Sequence, residues 1–564
     1  MKFDGMNGPN FRESSAVQNM NSNGGHSRRP WTSGGLILAV ALFIAAAANV
    51  QFFSAAVAAF GTGSTLWPFY LSLFLNLTAV LVLLLSAVCH RVLVKPVLIV
   101  ILMLSAVLSY FAHAYGTVFD AQMIANALAT DNAEAGDLLT LKMVVWIGLL
   151  GLLPAIAVAR ANLTFPHWKT ETVARLKQAG VALAVILVSG AAFSGHYAAL
   201  LRFHREATSK VIPAYAILSG VRMASRALPS STPKQHVAVG TDVMRPSTDQ
   251  HNELIIMVVG ETVRADHWGL NGYARDTTPN LRRENVVNFP DFWSCGTSTA
   301  ISVPCMFSNL GHDTFDKSAA ALTDNALDVL SRAGVNILWR DNNSSSQGVA
   351  ARVPYEDYRD ATHNKVCDDG ECRDIGMLDG LQDYIDRQKG DILIVLHQMG
   401  NHGPAYYKRY PKEFERFTPV CATSDLGSCT SEQIVNTYDN AILYTDFFLS
   451  KVIQLLKSND QKFETAMFYL SDHGESLGEY GVYLHGAPYA LAPEAQRHVP
   501  AVMWFGDGIK QDIKVTSLEE RRRRKWSQDN VFATLLGFFE LNTSAYVGGA
   551  DILERAHDEV TDLR

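Results

Sequence analysis

The chain has 564 residues, too many for one compact core, and carries 48% hydrophobic but only 18% charged residues, against about 25% charged in ordinary soluble domains. A mean hydropathy of +0.06 is too polar for a chain lying wholly in lipid, so composition divides the protein between bilayer and water and excludes a disordered chain, a collagen and a simple cytosolic enzyme. The net charge of −7 gives no reason to expect nucleic acid as a partner.

Residues 1–34 are rich in Asn, Gly and Ser without apolar period and predict a flexible tail. Apolar runs follow at 35–58, 67–89, 96–115, 141–159 and 178–201, each close to the roughly 20 residues that cross a ~30 Å hydrocarbon core. They predict a five-span helical membrane domain over 35–205. The first run is too long for a cleavable signal, follows a polar tail and precedes further spans. Arg28 and Arg29 precede it, Arg91 and Lys95 lie in the second link, and Arg160, Lys169, Arg175 and Lys177 lie in the fourth. The links 59–66 and 116–140 contain no Lys or Arg. Positive-inside asymmetry then predicts a cytoplasmic amino terminus, and an odd span count places everything after residue 205 on the outer side.

Within the third link, Asn126, Thr130 and Glu134 recur every four residues, which predicts one face of a helix. Residues 206–250 read as a connector with amphipathic helical pieces and a Pro-, Ser- and Thr-containing stretch. From 251 to 564, nearly continuous apolar runs alternate with helical patterns: Leu254–Val259, Val335–Trp339, Ile392–Leu396, Ala466–Leu470 and Val499–Phe505. Strands buried on both faces read this way, so the segment predicts an α/β domain built on a parallel sheet. Apolar positions at helical spacing predict a packed helix over 437–457.

Cysteine usage agrees with the predicted sidedness. Cys89 is alone at the cytoplasmic end of a span, whereas the other six fall in close pairs: Cys295 with Cys305, Cys367 with Cys372, and Cys421 with Cys429. Three short disulfide loops in an oxidising compartment are the expected arrangement, each contributing roughly 2 kcal/mol. The spacing does not supply the ligand sets of a structural zinc cluster.

In an open α/β sheet, ligands gather beyond the carboxyl ends of the strands. There the sequence offers Glu261, then Asp341, Asn342 and Asn343, then His397 and His402, then Asp472 and His473, with His485 further on. Oxygen and imidazole donors of this kind suit zinc and also manganese. The segment 294–305 packs Thr297, Ser298 and Thr299 beside a glycine ahead of a helical stretch. A hydroxyl at a helix amino terminus and next to a divalent cation becomes a usable nucleophile; spacing alone leaves the choice among the three open.

The stretches Gly-Glu-Thr-Val-Arg-Ala-Asp-His (260–267), Asn-Gly-Tyr-Ala-Arg-Asp-Thr (271–277), Ser-Cys-Gly-Thr-Ser-Thr-Ala (294–300), Val-Pro-Cys-Met-Phe-Ser (303–308), Trp-Arg-Asp-Asn-Asn-Ser (339–344) and Ser-Asp-His-Gly-Glu-Ser-Leu-Gly-Glu (471–479) carry a family resemblance. The chain resembles, over nearly its whole length, the membrane phosphoethanolamine transferases that modify lipid A, including the mobile colistin-resistance enzymes. The resemblance implies an alkaline-phosphatase-like (sulfatase-like) catalytic domain over 251–564, in the periplasm of a bacterium and anchored in the inner membrane. It implies Thr299 as the nucleophile that carries phosphoethanolamine, and zinc held by Glu261, Thr299, Asp472 and His473. It further implies that His402 and His485 flank the phosphate or a second zinc and that Asn343 contacts substrate. Asn126, Thr130 and Glu134 would lie near the head group of the lipid donor. The donor would be phosphatidylethanolamine and the acceptor a lipid A phosphate, with bilayer lipids as surroundings and polymyxin resistance as the consequence. Several relatives carry lysine where this chain has Gln347, which removes a cation near the phosphate site.

Two other enzymes share this architecture. A sulfatase needs Cys or Ser in a Cys/Ser-x-Pro-x-Arg setting, and Cys305 is followed by Met-Phe-Ser. A phosphoglycerol transferase, or phosphoethanolamine transfer to another periplasmic glycan, is not separated by motif. The run Arg521–Lys525 would steer an anionic acceptor or be merely solvated.

Overall fold

The computed structural model describes residues 30–130, 132–227, 235–246, 251–368 and 371–553. Arg28, Arg29 and most of the expected tail lie outside the described residues. Among those described, helices Ser64–Val88, Val94–Tyr115, Leu141–Arg160 and Trp168–Ala192 are each long and apolar enough to cross a membrane. The pair Ser33–Ala48 and Val50–Phe60, bent by 58°, makes a fifth if it is one span. The bend is held by buried Asn49, whose side chain donates to the carbonyls of Ile44 (3.0 Å) and Ile212 (2.8 Å) and accepts from the Ile212 amide (2.8 Å). In apolar surroundings such freed backbone groups need internal partners.

The last span differs from the expected 178–201. Its helix starts at Trp168 and ends at Ala192, and a separate helix Ser194–Phe203 follows. Lys169, Arg175 and Lys177 are therefore helical rather than part of a loop. Hydropathy marks only the lipid-facing part of a helix, and these long side chains are good helix formers beyond it. Glu171 accepts from Arg91 and from Arg175 at 2.9 Å each, while Lys95 donates to the Ala159 carbonyl at 2.8 Å. The basic residues of two separate links thus meet at one end of the bundle.

The third link forms helices α1 (Ala121–Ala129) and α2 (Asn132–Leu138). Thr130 turns out of the helix (ψ 126°), so Asn126, Thr130 and Glu134 do not share the single helix face that their spacing predicts. The Thr130 hydroxyl bonds back to the Asn126 carbonyl, as threonine side chains do where they compete with helix backbone bonds. The connector helix Ala214–Ala227 lies alongside α1.

The part of the chain after residue 250 is built on an eight-stranded sheet. Its strands are β1 (Glu253–Gly260), β2 (Val287–Trp293), β3 (Asn336–Asp341), β4 (Tyr355–Asp357), β5 (Ile392–His397), β6 (Glu464–Ser471), β7 (His498–Phe505) and β8 (Trp526–Ser527). They lie in the order β8-β2-β7-β6-β1-β5-β3-β4. The sheet is mixed, not wholly parallel as expected: β7 runs antiparallel to both β6 and β2. An apolar run reports burial on both faces, not direction, and no α-helix crosses over between β6 and β7 to turn the chain parallel again. Separate apolar clusters cover the two faces. The helix expected over 437–457 is the core of Ser431–Asn459, capped at Thr430 by a reciprocal bond with Gln433 and packed through Ile442, Phe448, Val452 and Leu456.

Candidate active site

The central ladder sets the site. Ser471 at the end of β6 pairs with Gly260 at the end of β1, so Glu261 and Asp472 emerge side by side. Gly260 is required there, because a Cβ would lie 2.6 Å from the Tyr469 ring. Glu261, Asp472 and His473 are fully buried, and one ligand atom from each lies within 4.8 Å of the others. His473 Nε2 lies 3.5 Å from Glu261 Oε1 and 3.2 Å from Asp472 Oδ2. Its Nδ1 donates to the Gly474 carbonyl at 2.9 Å, which leaves the Nε2 lone pair facing the carboxylates.

Burial, and then the Asp472 charge, push the Glu261 carboxyl well above the usual carboxylate range. Burial raises Asp472 as well. The same cause, aided by His485, holds His473 well below the ordinary histidine value. Glu261 Oε1 and Asp472 Oδ2 are buried without a hydrogen-bond partner. Two orphaned carboxylate oxygens beside an imidazole nitrogen that carries no proton fit a divalent cation of the zinc type.

The helix α3 (Thr299–Met306) delivers the hydroxyls, with Ser298 extended at its amino end. A disulfide between Cys295 and Cys305 ties the approach to the helix end; Cys367–Cys372 and Cys421–Cys429 are also joined, and Cys89 is free and buried. Thr297 donates to the Ala487 carbonyl at 2.7 Å, and Ser298 accepts from Gln122 at 3.3 Å. Thr299 Oγ1 alone among the three reaches the acidic cluster, 3.2 Å from Glu261 Oε2 and 3.4 Å from His473 Nε2.

The chain matches two families. The description Phosphoethanolamine transferase EptA/EptB fits residues 77–228, and Sulfatase fits residues 253–541. Phosphatidylethanolamine transferase Mcr-2 of Escherichia coli is 46% identical over 82% of this chain and 88% of its own length. The chain belongs to the phosphoethanolamine transferase family. Phosphoethanolamine transferase EptA of Salmonella typhimurium is 40% identical over 81% of this chain and 84% of its own. The structure of the integral membrane lipooligosaccharide phosphoethanolamine transferase A from Neisseria meningitidis superposes with a TM-score of 0.90 at 35% identity, covering 93% of this chain and 99% of that one.

In this phosphoethanolamine transferase only some of the other expected residues meet the acidic cluster. The His485 ring is tilted against that of His473 (centroids 4.3 Å apart, planes at 44°) and meets Glu475 Oε2 at 3.3 Å; His402 lies 5.5 Å from His485 between ring centroids. Burial, with His485 adding to it, holds His402 well below the ordinary histidine value. Asn343 donates to Glu261 Oε2 and to the Gln398 carbonyl, both at 2.7 Å, so its amide orients a carboxylate of the cluster. Asn126 is half-buried, its two side-chain amide atoms covered and without a bond, and it faces Gly486, next to His485. The Thr130 hydroxyl bonds back to the Asn126 carbonyl at 3.1 Å. The Glu134 side chain lies outside the described residues. Gln347 folds onto its own loop, donating to the Ser344 carbonyl (3.3 Å) and accepting from Lys317 (3.4 Å).

His397 and Asp341 pair with each other at 3.0 Å, fully buried. Arg521 donates to the carbonyls of Asp551 (2.5 Å) and Leu553 (3.2 Å), and Lys525 lies 4.5 Å above the Trp293 ring. The basic run is partly structural.

Three contributors escaped the sequence reading. Asp374 accepts from the amides of Met399 (2.8 Å) and Gly400 (3.1 Å) and from Asn342 (2.8 Å), which shapes the loop behind Glu261. Glu475, visible in the Asp-His-Gly-Glu motif, backs His485. Gln122 reaches Thr297 and Ser298 from α1 and has no signal in its own neighbourhood of the sequence.

Proposed function

We propose that this enzyme moves phosphoethanolamine from phosphatidylethanolamine to a phosphate of lipid A through a phosphoethanolamine ester of Thr299. The observation that carries the reading is the Thr299 hydroxyl within 3.4 Å of His473 and 3.2 Å of Glu261, beside carboxylate oxygens that lack any internal partner. The donor follows the name of Mcr-2. The acceptor follows the motif resemblance and the lipooligosaccharide named for the Neisseria meningitidis enzyme.

Glu261, Thr299, Asp472 and His473 would hold zinc, which lowers the pKa of a nearby hydroxyl and offsets charge on a phosphoryl group. Thr299 Oγ would give its proton to His485 or His402 and attack phosphorus in line. The Thr299 O–P bond forms as the bond to the diacylglycerol oxygen breaks, and the same histidine passes the proton on to that oxygen. A lipid A phosphate oxygen then attacks the same phosphorus, and Thr299 regains its proton as its ester breaks. His402 and His485 would flank the phosphoryl group or hold a second zinc, and Asn126, near His485, would meet the donor head group. Each transfer adds an ammonium to an anionic glycolipid, which weakens its attraction for cationic peptides such as polymyxins.

Residues 251–564 would form the periplasmic catalytic unit, with 35–205 as its anchor, 206–250 as connector and the amino terminus in the cytoplasm. The clustering of Arg91, Lys95 and Arg175 at one end of the bundle supports this orientation. An anchor keeps an enzyme whose substrates are both lipids in their layer.

The test is intact mass after incubation of the full chain with phosphatidylethanolamine under single-turnover conditions, followed by addition of lipid A and mass spectrometry of the lipid. One added phosphoethanolamine that maps to Thr299 is expected. Its absence while lipid A still gains the group overturns the covalent route, and a gain of phosphoglycerol by lipid A overturns the donor.

A further inference from the structure

Helices Ser64–Val88 and Val94–Tyr115 are joined only by residues 89–93, so the chain turns straight back and Trp67 and Tyr115 lie on the same side of the bilayer. The 22 residues of Val94–Tyr115 rise about 33 Å, slightly more than a ~30 Å hydrocarbon core. Tyr115 therefore ends at the boundary between hydrocarbon and head groups.

At that level the catalytic domain touches the span. Gly116 is left-handed (φ +72°), and a Cβ there would lie 2.8 Å from the Gly481 carbonyl oxygen and 3.2 Å from Val482 Cα. Gly481 and Val482 form the tip of a hairpin that pairs Ser476–Leu477 with Tyr483–Leu484. The same tip carries Tyr480, which is 97% exposed and held at φ +56°, a region that residues with a Cβ rarely adopt. Trp67, on the same side of the bilayer, is 68% exposed at the start of its own span. Beneath the tip, a cavity of about 200 Å³ lined by Tyr115, Val482, Tyr483 and Leu491 extends to His485.

An aromatic ring with a polar tip belongs at the head-group layer, where the ring leaves water and the hydroxyl stays wet. We propose that Tyr480 is an interfacial anchor, through which hairpin 476–484 docks the catalytic domain on the head-group layer of the bilayer that the protein itself spans. The packing of Gly481 and Val482 on Gly116 fixes the tip, and Tyr480, exposed beside it, also lines the mouth of the cavity. The docked hairpin holds the mouth of the cavity against lipid. This placement does not depend on which group the enzyme transfers.

The test uses the full chain in vesicles of phosphatidylethanolamine and phosphatidylglycerol. A nitroxide is attached at Tyr480→Cys in a Cys89→Ala background. A second label at Asp507→Cys serves as reference, because Asp507 is 92% exposed and follows the end of β7 remote from Thr299. The label at 480 is expected to collide several-fold less with a water-soluble nickel complex, and more with oxygen, than the label at 507. Equal aqueous accessibility at the two positions overturns the proposal. Tyr480→Trp gives a second reading: its added fluorescence is expected to be quenched by lipids brominated near the carbonyl region. Unquenched, water-like emission overturns it as well.

Discussion

The membrane bundle and the catalytic domain both bury strongly polar groups, and they treat them in opposite ways. In the bundle, Asn49 makes three bonds to backbone and Glu171 is met by Ser33, Arg91 and Arg175. In the catalytic domain, Glu261 and Asp472 are at least as deeply buried, yet each keeps a carboxylate oxygen without a partner. Burying charge is costly in either place unless something compensates it. The bundle compensates from within; the catalytic domain leaves the deficit for a ligand from outside. Unmet charge, rather than polarity as such, separates a binding centre from a structural one.

The largest test of this contrast is Thr299→Ala. It is expected to lower transfer by about 10³-fold or more while the fold is kept, read as lipid product by mass spectrometry. Near-normal transfer would remove the nucleophile from the account.

Next comes the deficit itself. Glu261→Gln is expected to weaken zinc retention on dialysis by at least about 10–100-fold, yet to stabilise the metal-free protein by about 1–3 kcal/mol. Asn49→Ala is expected to do the reverse of that second effect, destabilising the bundle by about 2–3 kcal/mol in thermal unfolding, because it strands backbone groups. Equal signs for the two substitutions in metal-free protein would break the comparison.

Stripping metal makes the contrast depend on pH. The Glu261 and Asp472 carboxyls have raised values in the folded chain, so their contribution to stability is present below the ordinary range near pH ~4 and is lost as pH rises through the raised values. Chelator-treated protein should therefore lose stability as pH rises above the ordinary carboxylate range, and zinc-loaded protein should lose much less. Parallel stability curves would count against the carboxylate deficit.

The smallest effect is expected for Arg523→Glu with Arg524→Glu. Transfer in bilayers should change by less than about twofold at physiological salt, where such surface charges are screened. A drop of tenfold that disappears at high salt would instead make this run a steering surface.

Much of the site was legible because strand ends carry it. Glu-Thr follows β1 and Asp-His follows β6, and a buried strand leaves an apolar signature that locates its own end. The break at Thr130 was hidden, since a spacing of four looks the same whether or not the helix continues. Asn343 was visible, but its partner, Glu261, lies 82 residues away. Gln122 was invisible because its partners are 175 and 176 residues distant.

The amino-acid order by itself determined the apolar spans, the buried strands, the basic links and the kinds of ligand at the strand ends, all of which follow from local burial and charge. Only the tertiary structure decided that Thr299, not Thr297 or Ser298, meets the carboxylates, that β7 runs antiparallel, and that a hairpin tip rests on Gly116. Each of these depends on contacts between distant segments, and local periodicity holds no record of which distant atom a side chain will face.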